Sequence, residues 1–430
     1  MTILNLISFL GMAILVFTAW LLSSNRKIFN WRVVLWGIGL QMAFAGFIFI
    51  VPAGAKVFIF LNDIILAIID AASEGAKFCF GVLALPPGTE GSLGFNLAFQ
   101  AFPTIVFFAA LVALLYYLRV MPFLIELFAR IFTRWMKLSG AESLCVSSNI
   151  FVGVESALTV KPYLEKMTRS ELCTIMAAMM GTIASSVLAF YVMILQGTFS
   201  HIAGHLVSAS ILSAPAAVVM SKLILPETGE PVTLGRTVKA YYERESSAVE
   251  SIINGAMAGG RMVFGIVVML LAFLGLVALL NKITVFAGGG VNSVLGINID
   301  FTLQGMLGYL FYPFTVIMGV HPQDAYEIAR IIGERTVVTE VNSYQDLAAL
   351  ISNGGLVDKR SAILATYALC GFAHFASLGI FIGGIAAIAP GKIKDLAGVG
   401  FRALIAATLG CQMTGCVAGV FLTKGSILLG

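Results

Sequence analysis

Long apolar stretches separated by short polar or glycine-rich connections make up most of this chain. A helix rises about 1.5 Å per residue, so about 20 apolar residues suffice to cross a hydrocarbon layer of ~30 Å. Stretches of this kind lie at residues 2–22, 33–51, 102–120, 172–195, 202–225, 262–280, 362–388 and 403–422. The pattern predicts an all-α polytopic membrane protein with about eight transmembrane helices.

Two further stretches are too short or too polar to span, and both contain a central glutamate. The first, residues 147–164, is broken at Gly153 and carries Glu155, and the second, residues 331–344, carries Glu340. Irregular backbone is tolerated at membrane depth only where protein or a water-lined cavity covers it. We therefore predict two re-entrant helical hairpins, a pairing that is typical of secondary transporters.

The remaining segments are more polar or are interrupted by glycine. Residues 56–80 and 121–137 mix charged with apolar residues, which predicts helices that lie at the membrane interface. Residues 226–250 form a long polar connection, and residues 288–292 read as a glycine-rich turn. The depth of the apolar stretch 301–320 is left open.

Basic residues give the orientation of the chain in the membrane. Arg26, Lys27 and Arg32 surround the loop between the first two spans, and the positive-inside rule places that loop in the cytoplasm. The N-terminus is then outside. Residues 392–402 likewise predict a cytoplasmic turn before the last span.

The composition agrees with a membrane protein and excludes several other classes of function. The chain is 59% hydrophobic and 11% charged, whereas soluble proteins have about 25% charged residues. Its net charge of +4 is not gathered in a basic block, so no nucleic-acid partner is expected. The six cysteines lack CxxC spacing, and no Walker or dinucleotide-binding motif occurs. We therefore expect a protein that is surrounded by membrane lipid and is not an enzyme.

Glu155 and Glu340 are the first candidates for substrate binding. A charged side chain at a bilayer centre costs about 2.5–3.5 kcal/mol, so it is retained mainly where it faces a cavity, an ion or a substrate. The alternative is that each glutamate only pairs with a nearby cation, Lys161 or Arg335, at the membrane surface.

A small-cation site is predicted beside the interruptions in the helices, from Asn149, Val152, Thr182 and Ile183. Amide, hydroxyl and backbone carbonyl oxygens are the hard ligands that such cations take. The alternative is ordinary helix capping and interhelical hydrogen bonding. His374 lies in an apolar run, where it is either an interhelical hydrogen-bond donor or a proton carrier.

Several short motifs occur in a recognisable order along the chain. They are Gly153 to Glu155 with the following KPYL, then residues 223–231, 339–344 and 365–374. Together they resemble the concentrative nucleoside transporter family over nearly the whole chain. The resemblance implies a homotrimer whose protomers have eight spanning helices, two re-entrant hairpins and interfacial helices. It also implies an elevator-type transport domain that moves on a trimerisation scaffold.

The organisation of this family divides the chain into four segments. Residues 1–120 hold N-terminal spanning helices and an interfacial helix of the scaffold, and residues 121–225 hold the first hairpin with the transmembrane helices that follow. Residues 226–320 hold the polar connection and a scaffold helix, and residues 321–430 hold the second hairpin and the last two transmembrane helices. The resemblance further implies symport of a nucleoside with sodium, or with protons in some members.

The functional residues of the family transfer onto this chain by position. In the family, the first hairpin tip contacts the base and the glutamate of the second hairpin binds the ribose. The substrate site implied here comprises Gly153, Val154, Glu155, Val187, Glu340, Phe372, His374 and Ser377. The resemblance implies an apolar contact of Val187 with the base, and Phe372 is an aromatic ring that can stack on a planar ligand. The sodium positions of the family match Asn149, Val152, Thr182 and Ile183.

The chain departs from the family pattern within the substrate site. Only Val154 separates the glycine and glutamate of the first tip, where the family has two polar residues. Thr339 and His374 each replace an asparagine, and Val341 replaces a phenylalanine. Because a lost polar partner can shift selectivity by large factors, we expect a nucleoside importer of the bacterial inner membrane with a divergent base pocket.

Two alternatives remain open at this point. The same scaffold, driven by protons through His374, would carry a modified nucleoside or another small polar solute. A non-transporting membrane enzyme or receptor that uses Glu155 and Glu340 as a carboxylate pair is more remote, because no nucleophile, metal cluster or cofactor motif accompanies them.

Overall fold

The structure is a computed structural model that describes residues 2–198, 201–242 and 245–423. Every regular element within these ranges is helical, so the predicted all-α class is confirmed. The α-helices, in chain order, are α1 (Ile3–Leu21), α2 (Trp31–Ile50), α3 (Pro52–Phe80), α4 (Phe102–Tyr117), α5 (Val120–Ile131), α6 (Gly140–Asn149), α7 (Lys161–Leu164), α8 (Arg169–Gly181), α9 (Ser185–Leu195), α10 (Ile202–Ile224), α11 (Ala248–Leu295), α12 (Leu303–Ile317), α13 (Ala325–Val337), α14 (Glu340–Ser352), α15 (Lys359–Leu369), α16 (Phe375–Ile388) and α17 (Ile393–Phe421). Short 3-10 helices lie at Gly81–Ala84, Val154–Val160 and Pro390–Lys392, and π-helical turns lie at Leu97–Ala101 and Phe132–Met136.

Seven segments of the described residues are long and apolar enough to cross a membrane. They are α1, α2, α4 with the π-helical turn before it, α8 together with α9, α10, α11, and α17 with the 3-10 turn before it. Each overlaps a predicted span, although α11 and α17 extend well beyond residues 262–280 and 403–422. The remaining predicted span, residues 362–388, corresponds to α15 and α16, which are separated by a break at residues 370–374.

Both predicted hairpins are present. In the first, α6 ends at Asn149 and the chain returns through the 3-10 helix Val154–Val160 and α7. In the second, α13 ends at Val337 and α14 begins at Glu340. The two arms of each hairpin pack against each other. Val152 in the first turn and Val338 and Thr339 in the second are buried, so both turns lie largely inside the protein.

The hairpins belong to a structural unit that occurs twice in the chain. Each unit consists of a hairpin, a helix broken near its middle and an unbroken helix: α6 to α10 form the first, and α13 to α17 form the second. The unbroken helices α10 and α17 pack against each other, and each also packs against the first halves of both broken helices, α8 and α15. Such internal duplication around broken helices is the organisation expected of a secondary transporter.

The breaks of the two interrupted helices touch each other. Gly371, in the second break, has a φ of +129°. A Cβ added to it would lie 2.7 Å from the carbonyl oxygen of Met180 and 2.8 Å from that of Gly181, at the end of α8. Nearby, a Cβ on Gly410 of α17 would lie 3.2 Å from the backbone nitrogen of Ala217 in α10. Small residues therefore allow the two units to approach closely.

Two boundaries inferred from the sequence are wrong. Residues 288–292, predicted as a turn, lie inside α11, and an added Cβ on Gly288 would come within 2.1 Å of the Phe301 ring. The small size of this glycine serves close packing within a helix and not a change of chain direction. The turn predicted at residues 392–402 is also too long, because α17 already begins at Ile393.

The stretches predicted as interfacial are helical. Residues 56–80 lie within α3, and residues 121–137 form α5 with the π-helical turn after it. In α5, Met121, Ile125 and Ala129 are buried at one-turn intervals, as expected for an amphipathic helix. The location of these helices at the membrane interface stays a prediction.

We expect Gly371→Ala to lower the melting temperature of the detergent-solubilised protein. The substitution forces an L residue into a rarely adopted φ and against the end of α8, at a cost of roughly 1–3 kcal/mol from the backbone alone. Gly379→Ala in α16 is the matched control, because nothing lies within 4 Å of its added Cβ. Equal melting temperatures for the two variants would contradict this role of Gly371.

Candidate substrate and cation sites

The first hairpin borders a cavity of about 230 Å³ that lies between its tip and helices α4, α9 and α11. The side chain of Glu155 is exposed and lines this cavity. Polar groups of Tyr116, Ser186 and Glu245 line it as well, while much of the remaining lining is apolar. A carboxylate that faces a cavity between protein helices avoids the cost of burial in lipid.

The tip residues of the first hairpin point in two directions. Gly153 and Glu155 line the cavity. The Val154 side chain instead packs on α16, where a Cβ added to Gly384 would lie 2.3 Å from Val154 Cγ2. The residue that replaces the two polar residues of the family thus anchors the tip.

Glu340 lies at the first position of α14 and is buried. Its Oε1 accepts a hydrogen bond of 2.6 Å from the hydroxyl of Tyr191 in α9. Its Oε2 lies 3.2 Å from Nε2 of His374, the N-cap residue of α16. Free backbone N–H groups at the start of a helix favour an anion, so this position suits a carboxylate.

The His374 ring is fixed by the helix that it caps. Its Nδ1 accepts a hydrogen bond of 3.2 Å from the backbone N–H of Ser377, and therefore carries no proton. In the neutral ring the proton is then on Nε2, which faces Glu340 as a donor. The Ser377 hydroxyl donates to the carbonyl oxygen of His374 at 2.6 Å. His374 thus caps the helix and also places its Nε2 next to the Glu340 carboxylate.

The remaining predicted substrate residues lie close to these groups. Phe372 is partly buried in the second break, with its ring centroid 6.4 Å from that of His374. Val187 is buried in the first turn of α9, one helical turn before Tyr191. Helix α9 joins the two groups of residues, because its Ser186 lines the cavity while its Tyr191 binds Glu340.

The predicted cation ligands meet where the end of α6 approaches the break between α8 and α9. Thr182 Oγ1 lies 2.8 Å from the carbonyl oxygen of Asn149, and the amide oxygen of Asn149 accepts a hydrogen bond of 2.9 Å from Ser156. Val152 and Ile183 are buried beside them. The junction therefore gathers neutral amide, hydroxyl and carbonyl oxygens, which suit a small hard cation.

Several polar residues of these sites had not been predicted from the sequence. Ser210 of α10 places its hydroxyl 3.1 Å from the carbonyl oxygen of Ile150 and 3.3 Å from that of Ile183, next to the cation ligands. Tyr191 follows Val187 by one helical turn, so the two residues lie on the same face of the helix, and this spacing could have predicted Tyr191 as a site residue. Serine is common in packed transmembrane helices, so Ser210 gives no such signal.

One alternative for the glutamates is not supported. The Glu340 carboxylate contacts Tyr191 and His374, whereas Arg335 donates to the carbonyl oxygen of Ala368. Glu340 is thus engaged in the interior by its own neighbours and does not merely pair with Arg335 at a surface.

Paired hairpins and paired helix breaks with acidic residues beside them are typical of secondary transporters. The family models described as Na+ dependent nucleoside transporter N-terminus and C-terminus match residues 10–83 and 205–419, and one described as Gate, nucleoside recognition, matches residues 98–198. The chain belongs to the Na+-dependent nucleoside transporter family, and it is a transporter and not an enzyme. The predicted family is confirmed, and the seven segments of the described residues that could cross a membrane agree with the predicted multi-pass membrane protein.

Several relatives align over nearly the whole chain. An uncharacterized transporter of Haemophilus influenzae is 36% identical over 98% of this chain and 99% of its own length. The nucleoside permease NupC of Helicobacter pylori is 32% identical over 97% and 98%, respectively. Solute carrier family 28 member 3 of mouse is 36% identical over 97% of this chain, which spans only 59% of the mouse protein.

Solved structures of a related transporter share the fold. CNTnw in an inward-facing substrate-bound state is 33% identical and aligns over 97% of this chain and 98% of its own, with a TM-score of 0.86. A substituted form of CNTnw in an outward-facing state is 31% identical and aligns over 98% of both chains, with a TM-score of 0.87.

We expect Thr182→Val to weaken sodium binding at the predicted site. Losing one ligand group of this kind costs roughly 1–3 kcal/mol, which is about fivefold to a hundredfold in affinity. The measurement is the rise in melting temperature of the purified protein with sodium, compared with choline at equal ionic strength.

The matched control is Thr366→Val in α15. Both threonines are buried and contact the carbonyl oxygen four residues earlier, but Thr182 alone of the two also contacts Asn149. An unchanged sodium response in Thr182→Val would contradict the cation site.

Proposed function

We propose that this chain imports a nucleoside together with sodium across a bacterial inner membrane. The observation that carries the proposal is the buried Glu340 carboxylate, which accepts a hydrogen bond from the Tyr191 hydroxyl and has its other oxygen 3.2 Å from the His374 imidazole. Because a carboxylate has about four lone-pair sites, it retains capacity for the hydroxyl groups of a ribose. The neighbouring Thr339 hydroxyl is buried and has no hydrogen-bond partner among the described residues, which leaves it available to a substrate group.

In this proposal the base lies toward the cavity at the first hairpin. Glu155 and Ser186 supply the polar contacts to the base, together with the backbone at Gly153. Val187 and Phe372 supply apolar and aromatic contacts, and Ser377 contributes its hydroxyl at the ribose. With Val154 packed on α16, a carboxylate and a serine hydroxyl replace the polar pair of the family in reading the base.

The coupling cation binds at Asn149, Val152, Thr182 and Ile183 in this proposal. The amide oxygen of Asn149 is hydrogen-bonded to Ser156, the residue directly after Glu155. A cation that draws this oxygen into its coordination shell therefore changes the position of the hairpin tip that meets the base. Cation binding and substrate binding then favour each other.

The transport movement is proposed to be an elevator motion within a homotrimer. Residues 121–225 and 321–430 form the moving part, and residues 1–120 and 226–320 supply the scaffold. Related CNTnw structures represent inward-facing, outward-facing and three intermediate states, and all match this chain at TM-scores between 0.85 and 0.87. Large apolar side chains of α11 such as Phe264, Leu271 and Phe286 are exposed in the single chain, as expected of a helix that meets lipid or another protomer.

We expect Glu340→Gln and Glu155→Gln each to abolish detectable uptake. Each hydrogen bond to a charged group is worth about 1.5–3 kcal/mol, so the loss of paired contacts lowers affinity by more than about a hundredfold. Uptake of labelled uridine, cytidine, adenosine and inosine into proteoliposomes with an inward sodium gradient measures this.

Glu126→Gln, which removes a surface carboxylate paired with Arg130, is the control for charge loss. Normal uptake by both hairpin variants, with normal amounts of protein in the membrane, would show that the substrate site is misassigned.

The contact between His374 and Glu340 also favours a second candidate, symport driven by protons. A second proton on the ring, however, would have to occupy Nδ1 and would break the cap on Ser377. We therefore expect His374→Asn to retain sodium-dependent uptake, because asparagine can cap the helix, with a changed preference among nucleosides. Uptake that ignores sodium, varies steeply with pH and is lost in His374→Asn would establish the proton-coupled alternative.

A further inference from the structure

Arg335 is fully buried in the second hairpin without an ion pair. The ion pairs of the described residues do not include it. Its Nη1 donates to the carbonyl oxygen of Ala368 at 2.5 Å, while Nε and Nη2 have no hydrogen-bond partner among the described residues. An uncompensated charge in a protein interior is strongly destabilising, so packing alone does not account for this residue.

The surroundings of Arg335 repeat those of the predicted cation site. In the first unit, the end of α6 meets the break that follows α8, and in the second unit, the end of α13 meets the break that follows α15. Free carbonyl groups at the end of a helix carry partial negative charge and favour a cation. Each junction therefore favours one positive charge.

The two junctions differ in how they provide that charge. At the first, the link between hairpin and break is the neutral contact of Thr182 with the carbonyl oxygen of Asn149, 2.8 Å apart. At the second, the link is the guanidinium of Arg335 on Ala368, in the last turn of α15. The Arg335 side chain thus supplies the positive charge at the second junction, whereas a dissolved ion supplies it at the first.

We propose that Arg335 is a built-in cation at the second junction, so that a single dissolved cation suffices for each transport cycle. The inference rests on the proposed symport function and extends it to the number of coupling ions. Because the guanidinium is attached to the chain, it crosses in both directions in every cycle and contributes no net charge. A neutral nucleoside is then accompanied by one net positive charge.

A purely structural role of Arg335 predicts a different experimental result. If Arg335 only caps α15, its loss lowers stability and leaves the cation requirement unchanged. Arg360 provides the comparison, because it is a buried arginine of α15 itself that donates to several partners, among them the carbonyl oxygens of Gly319 and Leu422. Arg360→Met therefore controls for the loss of a buried arginine.

The experiment measures charge and labelled nucleoside together in proteoliposomes that contain the full chain, at a series of imposed voltages. We expect about one charge per nucleoside and a Hill coefficient for sodium of about one in the wild type, since one ion is linked to each cycle. Arg335→Met should raise the half-saturating sodium concentration at least about tenfold, within the usual range of site coupling, and steepen the sodium dependence. Arg335→Lys should restore the wild-type dependence, and Arg360→Met should keep it despite lower stability.

Three results would overturn the inference. One is about two charges per nucleoside in the wild type. Another is an unchanged sodium dependence in Arg335→Met, and the third is an Arg360→Met variant that alters it equally. If Arg335→Met does not reach the membrane, the inference is tested by the ratio of charge to nucleoside in the wild type and by the sodium dependence of Arg335→Lys.

Failure of the proposed function gives a separate result, the absence of uptake for every nucleoside tested. The inference is then tested on the purified protein. The slope of its melting temperature against the logarithm of sodium concentration gives the number of sodium ions that it binds. A dependence that corresponds to two bound ions would contradict the built-in cation.

Discussion

Helix ends inside a membrane protein must be satisfied by the protein itself, and the arrangement of this chain follows from that requirement. A broken helix exposes carbonyl groups on one side of the break and N–H groups on the other, with no lipid group to bind them. Here the hydroxyls of Thr182 and Ser210 lie against carbonyl groups beside the first break. Arg335 and the Cys411 thiol donate to carbonyl groups at the second. Polar side chains in the interior thus first satisfy the hydrogen-bonding groups of the backbone. The proposed sites use the polar groups that are left over.

Helix α9 connects the proposed cation and substrate sites through one rigid element. Its start is the break that carries Thr182 and Ile183, its first turn holds Ser186 at the cavity, and its second turn brings Tyr191 to Glu340. In the proposed function, a small displacement at the break is transmitted along this helix toward both the base and the ribose of the nucleoside. Thermodynamic coupling between two sites needs such an element with a position that both ligands influence.

Hydropathy and interruptions predicted the spans, both hairpins and the two glutamates, because charges and glycines in apolar sequence are conspicuous. The break near Gly371 was missed, since residues 362–388 contain enough apolar residues to pass as one helix. The glycines at 288–292 were misread for the opposite reason, because the packing of Phe301 that requires a small residue is not visible locally. Tyr191 likewise became significant only when folding placed it against Glu340, far away in the sequence.

The contact of Gly371 with the end of α8 has a consequence for energy conservation. A symporter dissipates its ion gradient when the carrier crosses with an ion but without substrate. It avoids this only if the binding of the ion and the binding of the substrate are coupled. The two breaks meet backbone to backbone, without a flexible side chain between them, so neither unit can relax independently at this point. In the proposed symport, this close approach of the two breaks opposes the crossing of an ion without its substrate.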